Sequence, residues 1–546
     1  MSLNKNYFIR YWHTVKNLKF SQILWRLYYS IYRPTIKRNS WPVPLAKTMS
    51  FIPTIKKKRS YFGNGNFVFL SKFLNIEETG WNSNKYPKLW LYNLNYFDFL
   101  MQELSESEKF EVTDLVNDWI SKNDVGHGIA WEPYPTSLRI VNLIKWITLN
   151  NIVSKRLEES LAKQARYLIK KIEWHIEGNH LLANAKALIF AGIFFKGTEA
   201  KKWKEKGTKI LFEEIDKQIL KDGAHFELSP MYHSIILEDI LDIINLYISF
   251  EQCPEKINNL QLIAALMFRW LHYLTHPDGK ISHFNDASLD AVCCLNDLLQ
   301  YARRLKVDTD LALSSQCDLP ESGFGVSKLG VSSLIVDLGE VGPQFQPGHG
   351  HADTLSFELS VFGRRVFVNS GISTYEKGSL RSNERGTSSH NTVEVNETDS
   401  SEVWASFRVG RRAKILERSI DFGFNKSVIK ASHSGYMYLK GKPVHKREFH
   451  HSDKHLKIVD KISGHFRSAV GRLHIHPDVK STHIAEDQVV IKFEENKSLT
   501  IKFCGCHWSI VKYLFCSDFG KQTDGDCIEY SINDDLATVL IEWDIH

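Results

Sequence analysis

Two imidazoles and a carboxylate fall within five residues in Gly348-His349-Gly350-His351-Ala352-Asp353. Histidine and aspartate at this density can move protons or hold a metal ion, and neighbouring glycines let a backbone or a ligand come close. The residues that follow, Thr354-Leu355-Ser356-Phe357-Glu358-Leu359, alternate polar and apolar as a half-buried strand does. If extended geometry begins at His349, then His349, His351 and Asp353 share the face of Leu355, Phe357 and Leu359. The same stretch also suits a polar strand entry whose histidines are merely satisfied, so alone it assigns no function.

Other clusters carry complementary chemistry. In Trp131-Glu132-Pro133-Tyr134-Pro135-Thr136-Ser137-Leu138-Arg139 the prolines fix an extended approach to a helix that Thr136 or Ser137 can cap. Trp131 and Tyr134 offer flat faces to sugar rings, while Glu132 and Arg139 supply charge, Arg139 for carboxylates or sulfates. Glu177-Gly178-Asn179-His180 reads as a helix start with Asn179 as N-cap, where an amide and an imidazole could hold an anion with help from the helix dipole. The segment from Asp222 to His233 presents His225, Glu227, Tyr232 and His233 before and at another helix start. A tyrosine serves as acid or base only if its proton is relayed or its pKa of about 10 is shifted. His276, Asp278 and the pair Asn285-Asp286 form a further polar cluster. Each motif also has a structural reading, as a packed rigid loop, a helix cap or a core side chain.

These loops must be positioned by helices. From about residue 86 to 305 apolar residues recur at three and four, as in Leu161, Ala165, Leu168, Ile169 and Ile172. The spacing predicts helices over 96–105, 107–121, 135–150, 156–175, 181–195, 199–220, 232–250, 257–275 and 287–304, joined by short connections. Paired helices of this kind form an incomplete (α/α) toroid, and loops spaced at roughly fifty residues converge on one rim. From about residue 322 the texture changes to short β-branched and aromatic runs such as Val331–Leu338, Thr392–Asn396 and Thr538–Trp543, separated by turn residues. The expected class is α+β multidomain: an arm over 1–80, a toroid over 81–315 and an antiparallel β-sandwich over 316–546.

At 43% hydrophobic and 12% aromatic, the chain can bury large cores, and no apolar run is long enough to span a membrane. The first sixty residues hold thirteen Lys or Arg and no acid, so the remainder carries a net −7 within a total of +6. Tyr7, Phe8, Tyr11, Trp12, Phe20, Trp25, Tyr28, Tyr29 and Tyr32 are interleaved with those cations. Such an arm suits an anionic membrane surface or an acidic polymer; equally, it suits a helical strap packed on the body with its arginines in water. Nothing points to nucleic acid. Arg10, Lys16, Lys19 and Arg26 break the apolar residues, and no small-residue cleavage site follows. The arm is therefore not read as a secretory signal, and the protein is expected in the cytoplasm, peripheral on the inner membrane face. The eight cysteines are expected to be reduced thiols.

Taken in order, Leu89-Trp90-Leu91-Tyr92-Asn93-Leu94-Asn95-Tyr96-Phe97-Asp98, the Trp131–Arg139 stretch, Gly178-Asn179-His180-Leu181-Leu182-Ala183-Asn184-Ala185-Lys186-Ala187-Leu188, Gly348–Asp353 and His390-Asn391-Thr392-Val393 resemble the signatures of the heparinase II/III family of polysaccharide lyases. The resemblance implies β-elimination next to a uronic acid in an acidic polysaccharide or oligosaccharide. It implies that Asn179 and His180 neutralise the C6 carboxylate while Tyr232 and His349 share the proton transfers; we take Tyr232 as acid and His349 as base, a division that depends on the C5 configuration of the sugar and that one residue alone could also serve. It further implies that Tyr375 and Arg385 line the cleft, and that His351, Asn369 and His390 hold a structural zinc. Asn369 departs from the family pattern, since its amide is a weaker ligand than the carboxylate expected there. The alternatives are a non-lytic protein that binds or modifies a surface glycan during its assembly, and a zinc-dependent hydrolase.

Overall fold

A computed structural model describes residues 2–36, 50–152, 154–251, 253–310, 312–479, 481–485, 488–494, 496–533 and 535–545. Two helices, Ser2–Val15 and Phe20–Ile31, form an N-terminal strap. The arm expected from sequence also covers residues 37–49, which lie outside the described residues. After a small antiparallel hairpin, Asn66–Phe69 with Lys72–Asn75, the chain enters the helical region.

The toroid helices span Lys88–Tyr96, Glu106–Lys122, Pro133–Leu149, Lys155–Leu168, Gly178–Phe194, Thr198–Gln218, Pro230–Leu246, Pro254–Tyr273 and Leu295–Arg304. The helix predicted over 96–105 lies earlier, because Phe97 adopts a left-handed φ of 65° that ends the helix at Tyr96. The last predicted helix begins at Leu295 instead of 287. Proline at the first helical position pre-organises three of the starts, Pro133, Pro230 and Pro254. Aromatic and aliphatic side chains fill the interior, among them Trp90, Trp119, Trp203, Ile240 and Phe268.

The remainder is an antiparallel β-sandwich. Its five-stranded sheet runs in chain order through Gln316–Leu319, Phe324–Leu329, Ser332–Asp337, Phe357–Val361 and Arg364–Phe367. An eight-stranded sheet begins Ile415–Gly423, Lys426–His433, Val444–Ser452, His455–Ser463 and then takes Leu536–Ile545 as its next strand. A four-stranded sheet contains Val393–Val395 beside Ala469–His474. Inward-facing Leu334, Phe357, Phe449, Ile458, Leu499 and Val539 form one core. The two halves are joined by apolar packing of Trp270 on Phe324, where the Trp270 indole N–H also donates to Ser322 Oγ at 2.9 Å. Toroid followed by sandwich is the architecture expected from the sequence.

The shared strand face does not form. Strand geometry starts only at Phe357. Residues 348–356 are a compact loop with turns closed by Gly350 N–H on Pro347 O at 3.1 Å and Ser356 N–H on Asp353 O at 2.8 Å, and Leu355 has a φ of 65°. His349 and His351 therefore face different surroundings. Gly350 is obligatory here, since a Cβ would lie 2.3 Å from Val341 O.

Candidate active site

A cleft of about 1150 Å³ lies between the toroid rim, the loop 344–349 and the strap. Asn179, His180, Tyr232 and His349 all line it, together with Trp131, Glu132, Tyr134 and Tyr375.

On the toroid wall, Asn179 is not the N-cap. The cap position is Glu177, held at φ 64°, and Asn179 lies inside the first turn. Gly178 follows at φ 58°, where a Cβ would fall 2.4 Å from both Gln346 Nε2 and Glu227 Oε1. The Asn179 side-chain amide donates to Glu227 at 3.1 and 3.2 Å, and its backbone N–H donates to the same carboxylate at 3.3 Å. Glu227 thus fixes the carboxamide at the cleft wall. His180 Nδ1 bonds Glu173 Oε1 at 3.1 Å; Asn184 holds Glu173 in place, donating to its Oε2 at 3.1 Å and accepting its backbone N–H at 2.8 Å. Burial opposes the charged imidazole, but the Glu173 carboxylate outweighs it, with Glu227 and Glu132 adding to the effect, and the His180 pKa is raised. Its ring lies 4.3 Å from that of Tyr134.

Tyr232 opens helix Pro230–Leu246, where Ser229 Oγ accepts its backbone N–H at 3.2 Å as the cap. Its hydroxyl bonds that of Tyr375 at 3.1 Å, and its ring lies 3.9 Å from the His349 ring. Burial, then Tyr375 and the negative charge of Asp286, raise the Tyr232 pKa well above its ordinary value, so the phenol keeps its proton.

The sandwich wall is organised by a residue that sequence reasoning did not single out as functional. Asp286, fully buried, meets His349 Nδ1 at 2.8 Å through one oxygen and His351 Nε2 at 2.9 Å through the other. Arg381 grips both oxygens at 2.6 and 2.8 Å. Burial alone would raise the Asp286 pKa; Arg381 and the two histidine bonds hold it well below the usual carboxylate range. An ionised Asp286 only accepts, so His349 carries its proton on Nδ1 and has its lone pair on Nε2. The sequence marked Asp286 only as part of a polar cluster with Asn285, without a role, because its partner His349 lies 63 residues away.

Four of the expected substrate-binding residues are elsewhere. Arg139 is buried under the toroid wall, its guanidinium 3.9 Å from the Trp119 ring and bonded to Gln164 and Asn95 O. His233 is buried between the His225 N–H at 3.1 Å and Met267 O at 3.0 Å, and burial takes its pKa down to about 3. Asn285 accepts the His351 backbone N–H at 2.9 Å and donates to Leu228 O at 2.9 Å. Arg385 donates to Gly350 O at 2.8 and 3.2 Å, which pins the histidine loop from behind. Burial and neighbouring Arg381 lower the Arg385 pKa to about 9. All four hold the walls in place and do not meet the cleft.

The expected zinc ligands are only partly assembled. His351 Nδ1 faces His390 Nε2 at 3.1 Å, and the outer nitrogens are held by Asp286 and by Gly386 O at 2.7 Å. With protons on both outer nitrogens, two lone pairs confront each other, a donor set that a cation would relieve. Burial keeps both rings neutral, taking His351 to about 3 and lowering His390. Asn369 turns away: its oxygen accepts the Asn391 N–H at 3.1 Å. Asp353 is buried with Oδ2 lacking a hydrogen-bond partner, and its charge acts on His390. Among the described residues no three His, Cys, Asp or Glu side chains are gathered as a metal-binding group. The two imidazoles fit a cation, and Asn369 is not their third ligand as folded.

Comparison with known proteins finds family models that match both parts of the chain. The family model described as heparinase II/III N-terminus matches residues 81–310, and that described as heparinase II/III-like, C-terminal, matches 313–526. A heparin-sulfate lyase of Bacteroides stercoris is 25% identical over 457 residues, 77% of this chain and 65% of the relative. A heparin-sulfate lyase of Pedobacter heparinus is 26% identical over 47% of this chain and 43% of its own. The chain thus spans under two thirds of the length of these relatives. In fold, a crystal structure of heparinase III superposes with a TM-score of 0.69 at 18% identity, covering 95% of this chain and 88% of that one.

Proposed function

The chain belongs to the heparinase II/III family, and on that premise we propose that it is a polysaccharide lyase that cleaves a uronate-containing acidic glycan by β-elimination. One observation carries the reading: a protonated Tyr232 packed on His349, whose tautomer Asp286 sets, in the same cleft as Asn179 and His180. Such a pair serves proton transfer more directly than glycan binding alone.

In this mechanism the Asn179 amide and the His180 imidazole bind the C6 carboxylate, which makes the C5 proton more acidic. His349 Nε2 takes that proton as the C4–O4 bond breaks and C4=C5 forms, and the Tyr232 hydroxyl protonates the departing O4. No water is consumed. Tyr375 hydrogen-bonds the Tyr232 hydroxyl and orients it. Tyr134 borders the cleft beside His180, with Glu132 at the rim, while Trp131 packs beneath them on Trp119 and Tyr167. Zinc, in our reading structural, would be held by His351 and His390; a bound cation there would fix the loop behind His349, and no step passes through it.

The test is incubation with a panel of acidic glycans, heparan-type chains first because the relatives are named for them. Appearance of the ultraviolet absorbance of a 4,5-unsaturated uronate is the expected result. Binding of uronate glycans without that absorbance would overturn the lyase reading in favour of a glycan-binding protein.

A further inference from the structure

The N-terminal strap has two different faces. Its inner side is built into the cleft, where Leu18, Gln22, Arg26 and Tyr29 contribute to the lining. Contacts reach both halves of the molecule. Thr14 accepts the Trp404 indole N–H at 3.1 Å on the sandwich side, and Tyr29 donates to Ile172 O at 2.7 Å on the toroid side. Trp25 stacks on Trp174, and Lys19 meets Glu177 at 2.6 Å, directly before Gly178 and Asn179. The strap is therefore docked on both halves of the molecule.

The outer side is apolar and open to solvent. Phe20 is 73% exposed, Leu24 49%, Leu27 60% and Ile31 84%. At 3.6 residues per turn these four lie within a sector of about 60° on helix Phe20–Ile31. Phe8 at 69% and Trp12 at 65% form a second exposed apolar pair on the preceding helix, four residues apart on one face. Such an array of large apolar side chains marks an interaction surface.

We propose that this outer face docks on an anionic lipid bilayer, which sets the cleft mouth beside the membrane surface. Charge selects the occupant. Exposed Lys16 and Arg33 stand at either end of the striped helix, in a segment whose first sixty residues hold no acid. Aromatic and aliphatic residues on one face with Lys and Arg around them make an interfacial helix, held by apolar insertion and by attraction to anionic headgroups. A second copy of the chain would set this cationic surface against itself. No helix among the described residues is long and apolar enough to cross a membrane, so the surface would lie on the bilayer.

The experiment is co-sedimentation of the full chain with phosphatidylcholine vesicles and with equimolar phosphatidylcholine–phosphatidylglycerol vesicles, at low and high salt. Binding to the mixed vesicles, weakened by salt, is expected. Leu24→Ser, Leu27→Ser and Ile31→Ser combined should lower the partition at least about tenfold while leaving thermal midpoint and turnover of a soluble glycan unchanged. Lys16→Gln with Arg33→Gln should keep the apolar contact and reduce the preference for anionic vesicles several-fold. Equal partition into both vesicle types, no partition into either, or a dimer that the serine variant dissolves without any vesicle binding would overturn the proposal. Vesicle binding is read without turnover, so it stands or falls independently of the lyase reading.

Discussion

The two walls of the cleft are built by different means. On the toroid wall, Asn179, His180 and Tyr232 sit in the first turns of two helices, placed by a glycine at positive φ and a serine cap. The sandwich wall presents His349 on a loop without regular structure, held by Asp286 from the helical half and by Arg381 and Arg385 behind it. A helix start is a local solution, so one side chain there can change without loss of its neighbours. The loop depends on buried charge, where removing one partner leaves the others unsatisfied.

The comparison predicts unequal responses. Asp286→Asn should have the largest effect, because the neutral amide no longer dictates the His349 tautomer; by the behaviour of an aspartate behind a catalytic histidine, kcat should fall about 10³–10⁴-fold. Steady-state kinetics should show this with KM far less affected, and a matching fall in KM-dependent binding alone would count against it. On the toroid wall, Asn179→Ala should lower kcat about 10²–10³-fold, as loss of one oxyanion donor does, with the thermal midpoint close to that of the wild type. Collapse of the fold instead would mean that Asn179 is a structural partner of Glu227.

A smaller effect tests charge on the toroid wall. The His180 pKa is raised above its ordinary value, so the imidazolium is fully present below about 6.5 and is lost as pH rises through the raised value. KM should therefore climb, by up to about tenfold, across that rise, and His180→Gln should flatten the profile. The stabilising pair with Glu173 should weaken over the same window. The smallest effect on turnover should come from metal removal. Chelation, or His390→Ala, should remove bound zinc from the purified protein and lower the thermal midpoint, with kcat largely retained once the fold is intact. Abolished turnover at an unchanged midpoint would give the metal a catalytic role.

Periodicity and turn chemistry alone carried much of the architecture. Stripes such as Leu161, Ala165 and Leu168 mark buried helix faces, all three being fully enclosed, and the switch to short β-branched runs located the sandwich. Helix starts near Asn179 and Tyr232 were legible too, although the helices begin at Gly178 and Pro230, two or three residues before the positions expected. These are short-range effects, set by backbone conformation within a few residues.

Other features depended on residues far apart in the chain. Arg139 and Arg385 look like ligands for an acidic sugar in sequence, yet both are buried as scaffold, because a guanidinium can satisfy several carbonyls at once. Asn369 stands where a metal ligand was expected and instead accepts a backbone N–H. The strap shows the same limit: its composition predicted an amphipathic helix, but only packing decided that the apolar stripe faces water. Residue types and local spacing determined which chemistry this protein can carry. Tertiary structure decided which imidazole meets the cleft, because Asp286 binds both and the loop's fold exposes only His349.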